Sequence, residues 1–265
     1  MTIRKRIVLI FIILFGAVLS ISSQPLSLEW DGTLRRIRVP ILMYHYIEEL
    51  PTDADDIRQG LTISPTLFRE HLTYLKSESY TTIDFAALNR ALNQGDVLPF
   101  NPVILTFDDS YINHYTIAYP ILKDFDMAGT FFVITSALDN NRAGYMTWQQ
   151  VTEMSDMGME IATHTKNHID LRQRDNSLLV YEIMGSLESI QAKIPDYSLA
   201  LAYPMGRYDS ATLNLLATTP LQRAVTTQMG IYATTDNHFE LPRIRINPDT
   251  TVYGLDRLLN GAINN

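Results

Sequence analysis

Along this chain, short apolar runs alternate with longer stretches in which apolar residues return every three or four positions. Side chains alternate across a strand but line one face of a helix every three to four residues, so the runs predict strands and the longer stretches helices. Strands are expected over 39–44, 81–83, 102–107, 129–134, 159–163, 200–203, 223–226 and 243–246. Val103, Ile104 and Leu105 are contiguous, which demands a strand buried on both faces. Helices are expected from Ser64 through Leu75, then over 85–93, 112–125, 147–157 and 177–193, with Pro120 interrupting the second of these four. Ser64 is placed to cap its helix, Pro65 fits the first helical position, and Leu67, Phe68, Leu72 and Leu75 share one face. Repeated strand–helix alternation implies a parallel sheet, open or closed into a barrel. In such folds the active site lies at the carboxyl ends of the strands.

The first residues break this pattern. Arg4, Lys5 and Arg6 precede an uncharged apolar run from Ile7 to Ile21. A basic flank before a hydrophobic run predicts an export signal or a retained N-terminal membrane anchor over 1–23, with the rest of the chain outside the cytoplasm, secreted or anchored. Residues 24–38 read as a linker and 39–265 as one domain. The 265 residues carry 21 Lys and Arg against 29 Asp and Glu, a net charge of −8. Nucleic acid is therefore excluded as an expected partner, because it needs a basic footprint. Membrane contact is expected only through the N-terminal segment. The absence of cysteine excludes disulfides, thiolate-bound metals and thiol nucleophiles.

Two motifs come directly after predicted strands. Asp108 and Asp109 are adjacent after 102–107, and paired carboxylates in a crevice repel unless a cation or a shared proton intervenes. His164 and His168 come after 159–163 at a spacing that lets both rings face one ion if the turn is helical. With one aspartate they offer a His₂–carboxylate set, suited to a divalent ion with open positions. His71 and His114 fall on amphipathic helices and are expected at the surface; Asp53, Asp55 and Asp56 read as a solvated turn. Tyr44, Tyr46, Tyr111, Tyr145, Trp148 and Tyr203 are candidates for a stacking surface near strand ends.

These blocks, taken in order, resemble the polysaccharide deacetylases, carbohydrate esterase family 4, whose core is the NodB-homology domain. The resemblance runs from about Arg38 to Leu258. It rests on Thr106–Asp109, Gly129-Thr130-Phe131-Phe132-Val133, His164–His168 and Ala202-Tyr203-Pro204-Met205-Gly206. The opening Ile41-Leu42-Met43-Tyr44-His45 is similar to the branch that starts with a Met-Tyr-His strand. The resemblance implies an α/β fold, a distorted or incomplete (β/α) barrel. It also implies hydrolysis of N- or O-acetyl groups on a polysaccharide such as peptidoglycan, poly-N-acetylglucosamine, a chitin-like polymer or xylan. Asp108 matches the catalytic base, and Asp109, His164 and His168 match the metal ligands. The ion is expected to be zinc, with cobalt, nickel or iron also compatible with this donor set. The backbone N–H of Met205 matches an oxyanion donor.

Three positions depart from the family pattern. Ser110 stands where a glycine is usual, which argues against a strict need for positive φ. The arginine that normally pairs with the base is missing from the Ala202–Met205 block, and Arg243 is the candidate to replace it from another strand. The late segment that usually supplies a histidine acid has none, which leaves His238 as the late candidate. His45 and Tyr203 are expected to touch substrate. The missing arginine and histidine keep open a catalytically impaired, cell-surface glycan-binding module; an amidohydrolase acting on a small amide is a third option.

Overall fold

The alternation closes into a ring. β1 (Ile41–Tyr44), β2 (Pro102–Phe107), β3 (Thr130–Val133), β4 (Glu160–Thr163), β5 (Ala200–Ala202), β6 (Arg223–Met229) and β7 (Leu241–Arg245) pair in chain order. Every pair is parallel, and β7 returns to β1 through Ile244 opposite Leu42. The computed structural model describes residues 29–261. The expected signal or anchor over 1–23 lies outside the described residues. The expected linker is in part a strand: Arg36–Arg38 pairs antiparallel with Tyr232–Thr234. The barrel is irregular. One register pair, Thr163 with Leu201, joins β4 to β5, and the register shifts between Val225 and Met229 in β6.

Helices cross between the strands. α1 (Asp56–Leu61), α2 (Pro65–Ser77) and α3 (Phe85–Gln94) lie between β1 and β2; α4 (Tyr119–Phe125) precedes β3. α5 (Thr135–Asp139) and α6 (Trp148–Asp156) precede β4, α7 (Asn176–Gln191) precedes β5, α8 (Ser210–Leu216) precedes β6, and α9 (Val252–Leu259) comes after β7. Ser64 caps α2 by accepting from the Leu67 N–H at 3.1 Å, with Pro65 just inside. Asp55, expected in a solvated turn, caps α1 in the same way. Pro120 lacks the N–H that an α-turn needs. The chain widens ahead of it into a π-turn over His114–Ala118, closed by the Tyr119 N–H on the His114 carbonyl.

Strand alternation sorts the core into two layers. Ile41, Ile104, Phe132, Ala162, Ala200, Ala202, Val225 and Leu241 face inward with Phe85, Leu88 and Leu92 of α3, which plugs the amino end of the ring. Leu42, Leu105, Phe107, Phe131, Val133 and Ile161 pack outward with Phe68, Leu72 and Leu122 from the helices. β2 is thus apolar on both faces because both are covered.

Two histidines expected at the surface are fully buried. His71 Nε2 donates to the Thr250 carbonyl at 2.7 Å, and the Tyr44 hydroxyl lies 3.3 Å from Nδ1. His114 Nε2 donates to the His45 carbonyl at 2.6 Å, and burial pushes its pKa down to about 4. Helical periodicity identifies an apolar face but does not reveal a backbone carbonyl on a neighbouring segment that satisfies a ring nitrogen.

At the plugged end, Glu160 accepts from the Thr130 and Ser198 hydroxyls and from the Phe85 N–H at the start of α3. Burial pushes its carboxyl up to about 7, against the pull of the Ser198 and Thr130 hydrogen bonds. The folded state therefore holds this proton more tightly than the unfolded chain. The contribution is complete below the ordinary glutamate range and is lost as pH rises through about 7. Urea midpoints of the wild type should fall between about pH 5 and about pH 8. Glu160→Gln should flatten that dependence; an unchanged slope in the variant would show that Glu160 is not its source.

Candidate active site

The open end of the ring collects side chains from four strands. Thr106 and Asp108 continue the inward row of β2, His164 comes just after β4, Arg243 lies on β7, and His45 comes just after β1. Arg243 is 1% exposed and Asp108 2% exposed. Their bond is a bidentate fork: Nη1 to Oδ1 at 2.8 Å and Nη2 to Oδ2 at 2.7 Å. Arg243 Nε donates to the Thr226 carbonyl, Nη1 also reaches the Thr106 hydroxyl, and the guanidinium lies 5.8 Å from the Phe132 ring. Burial would raise the Asp108 carboxyl, but the charge and hydrogen bonds of Arg243 overcome it and hold the group below its ordinary range. Asp108 is ionised at neutral pH, as a base must be.

Asp109 meets the imidazoles. Its Oδ1 lies 3.3 Å from His164 Nε2 and 3.2 Å from His168 Nε2, and the three ligand atoms lie within 4.8 Å of one another. His164 Nδ1 donates to the Ala202 carbonyl at 2.7 Å, which fixes the tautomer and leaves the Nε2 lone pair facing Asp109. By strict hydrogen-bond geometry Asp109 Oδ1 is buried without a partner. A carboxylate oxygen facing two imidazole lone pairs repels them unless a cation sits between. Burial opposes charge on His164, yet Asp109 and Asp108 together raise its pKa, so the cluster attracts positive charge. Burial and the neighbouring His164 push His168 down to about 4, which favours the neutral form a metal needs. Two imidazoles and one carboxylate fit a divalent ion with open coordination positions.

The backbone here is strained. Asp109, Ser110, Thr165, His168 and Met205 all have positive φ, at 81°, 64°, 64°, 56° and 55°. Each such non-glycine residue costs about 1–3 kcal/mol, and such strain gathers at functional sites. Ser110 corrects the sequence expectation: it does adopt left-handed backbone, held by its Oγ accepting the Ile134 N–H at 2.7 Å. Gly206 is required as glycine, since its φ is +66° and a Cβ would collide with Thr227 Oγ1.

This arrangement has close relatives among known proteins. The model of the family described as polysaccharide deacetylase matches residues 96–224. The solved structure of the Streptococcus pyogenes deacetylase PplD in complex with acetate is 34% identical and superposes with a TM-score of 0.79, covering 85% of this chain and 99% of that one. The chain belongs to the polysaccharide deacetylase family. The putative polysaccharide deacetylase YxkH of Bacillus subtilis is 28% identical to this deacetylase over 219 residues, 83% of this chain and 75% of that protein. The poly-beta-1,6-N-acetyl-D-glucosamine N-deacetylase of Escherichia coli K12 is 28% identical over 140 residues, 48% of this chain but 20% of that protein.

Within the deacetylase, the fold brings together Asp108, Asp109, His164, His168 and Arg243. His45 is half-buried at the same end, and its ring nitrogens have no hydrogen-bond partner among the described residues. Burial pushes its pKa down, and the charges of Asp108 and Asp109 restore it only in part. The N–H of Met205 has no acceptor among the described residues. Two expectations are corrected. His238 lies at the opposite end of the ring: its carbonyl accepts the Ala224 N–H at the start of β6, and it lines a cavity there with Trp30, Asn93 and Arg223. It cannot reach Asp108. Tyr203 faces outward, because it is one residue past the inward Ala202. It stacks on Tyr208 at 4.2 Å and donates to the Phe239 carbonyl.

Tyr44 also lies under the helices, against Phe68 and Phe107. Of the other aromatic candidates, Tyr46 and Tyr111 stack at 3.7 Å, with Tyr145 5.6 Å from Tyr111. Burial and the nearby Asp109 charge raise the Tyr111 hydroxyl, so it keeps its proton. Sequence reasoning misses Thr106 as a partner of Arg243; its place two residues before Asp108 on one strand is the available signal. Arg243 fills the gap that argues for an impaired glycan binder.

Arg243→Met would leave Asp108 buried without a counter-charge. It should destabilise the protein by about 3–5 kcal/mol in urea unfolding. Asp108→Asn combined with Arg243→Met should recover part of that loss. Wild-type stability in the single variant would contradict the buried pair.

Proposed function

We propose that this polysaccharide deacetylase is metal-dependent and removes N-acetyl groups from a poly-N-acetylglucosamine-type polymer outside the cytoplasm. One observation carries the metal dependence: the buried Asp109 Oδ1, left without a hydrogen-bond partner, faces two imidazole nitrogens, one with its tautomer fixed. The N-deacetylase activity of the Escherichia coli relative on poly-beta-1,6-N-acetyl-D-glucosamine supports the substrate class. The basic flank at Arg4–Arg6 and the apolar run after it support an extracytoplasmic location.

Asp109, His164 and His168 would hold a divalent ion, which when bound supplies Lewis-acid polarisation of the acetyl carbonyl. The protein's own groups do the rest. Arg243 keeps Asp108 ionised and aimed from the barrel wall. Asp108 takes a proton from the water that attacks the acetyl carbon. The N–H of Met205, free of an internal acceptor, donates to the oxygen that gains negative charge. His45, uncharged at rest because burial lowers its pKa, relays the proton taken by Asp108 to the amide nitrogen as its bond to the acetyl carbon breaks, giving free amine and acetate. Tyr46 and Tyr111 wall the site beside Asp109 and limit the approach of the sugar.

Acetate release from β-1,6-linked N-acetylglucosamine oligomers should stop after chelation and return on adding zinc or cobalt. Asp108→Asn should lower kcat by about 10²–10⁴-fold. His45→Gln should lower kcat with zinc affinity retained. Full turnover by chelated protein would refute the metal dependence, and release only from O-acetylated sugars would refute the N-acetyl assignment.

A further inference from the structure

A helix packed on a barrel normally buries an apolar stripe. α7 buries Leu179, Ile183, Leu187 and Ile190, but Glu182 and Ser186 are buried as deeply, at 1% and 0% exposure. With Ser189 they recur four and then three residues apart, which puts all three on one face. A carboxylate taken out of water is costly unless its lone pairs are satisfied. Among the described residues no lysine or arginine satisfies Glu182; Lys166 Nζ is turned to Asp139 and Ser189. Its partners are both on Asn167. Oε2 accepts the Asn167 N–H at 2.8 Å and Oε1 accepts Asn167 Nδ2 at 2.7 Å. The Glu182 carbonyl also accepts the Lys166 N–H at 2.9 Å.

This face of α7 grips the turn between the two metal-site histidines. The turn runs from Thr165 to His168, both in left-handed backbone, and is not one that the chain adopts unaided. Ser186 Oγ lies 2.6 Å from Thr163 Oγ1, which accepts the Thr165 N–H at 3.1 Å. Thr165 Oγ1 in turn accepts the His168 N–H at 3.1 Å. Hydrogen bonds therefore run from α7 to the backbone on both sides of the turn. Glu182 fixes the residue immediately before His168.

We infer that Glu182, supported by Ser186, is a positioning residue that holds the His164–His168 turn so that both imidazoles face Asp109. The inference rests on the metal reading of that site. A carboxylate suits the task because both its oxygens accept, and Asn167 presents two donors. A glutamine there would still be satisfied, because the exposed Asn167 amide can turn its Oδ1 to accept the new N–H, whereas a leucine of similar volume accepts from neither donor.

Zinc chloride titrated into metal-stripped full-length protein by calorimetry tests this. Glu182→Leu should weaken zinc binding about 10–100-fold, the range for partners that orient metal ligands. The metal-free variant should keep its melting temperature. Glu182→Gln, which keeps both hydrogen bonds once the Asn167 amide turns over, should retain most of the affinity. Glu188→Gln on the exposed side of the same helix should bind like wild type. Unchanged affinity in Glu182→Leu overturns the inference. So does a loss that tracks a fall in metal-free melting temperature and that Glu182→Gln shares in full. A wild-type chain that binds no zinc overturns the metal reading and this inference together, whereas tight wild-type binding with an unaffected variant overturns the inference alone.

Discussion

Two neighbouring carboxylates at the end of one strand set the terms for this site. Asp108 and Asp109 are both buried, and like charges side by side in a low-dielectric interior raise each other's free energy. The fold separates their solutions. Asp108 points into the ring and receives a guanidinium from β7, while Asp109 turns through left-handed backbone towards two imidazoles. One carboxylate is thereby committed to a fixed internal cation. The other faces groups whose charge depends on what binds between them. A carboxylate that stays ionised and a candidate metal-ligand cluster arise from one pair of residues held in opposite directions.

The barrel makes that division possible because closure brings β7 beside β1, and hence Arg243 within reach of β2. Arg243 and Asp108 are far apart in the chain, and an open sheet would leave their strands at separate edges. Small inward residues, Ala162, Ala200 and Ala202, leave room inside the ring. The amino end is sealed by α3 and by Glu160, so the open carboxyl end is the one that can admit a polymer. The outer helices contribute more than insulation. α7 reaches with polar side chains under the histidine turn, and that turn holds a backbone conformation that it would otherwise leave.

Much of this is legible from residue order. Contiguous Val103, Ile104 and Leu105 require a strand covered on both sides, and the structure covers it on both sides. The motifs after two strands mark Asp108, Asp109, His164 and His168, because a parallel sheet gathers the residues just past its strands at one end. Where the sequence misleads, the missing information is spatial. His71 and His114 lie at core spacing, beside Phe68 and Leu75 and beside Ala118, but their polar rings suggest the surface until carbonyls of Thr250 and His45 reach them from elsewhere in the chain. His238 is a candidate through its late position, yet it sits in the turn that leads into β7, at the end of the barrel where the strands begin. Tyr203 is one residue out of phase with the inward row.

The sequence by itself determined which segments become strands and helices, that they alternate, and which side chains end up next to strand termini. Those are consequences of local periodicity and of a few residues in order. Tertiary structure alone decided that Arg243 rather than a residue near Ala202 neutralises Asp108, that Ser110 takes a left-handed backbone, and that a buried glutamate on α7 braces the histidine turn. Each of these depends on closing the ring, since the partners are remote in the chain, and no local pattern encodes which distant strand will lie alongside.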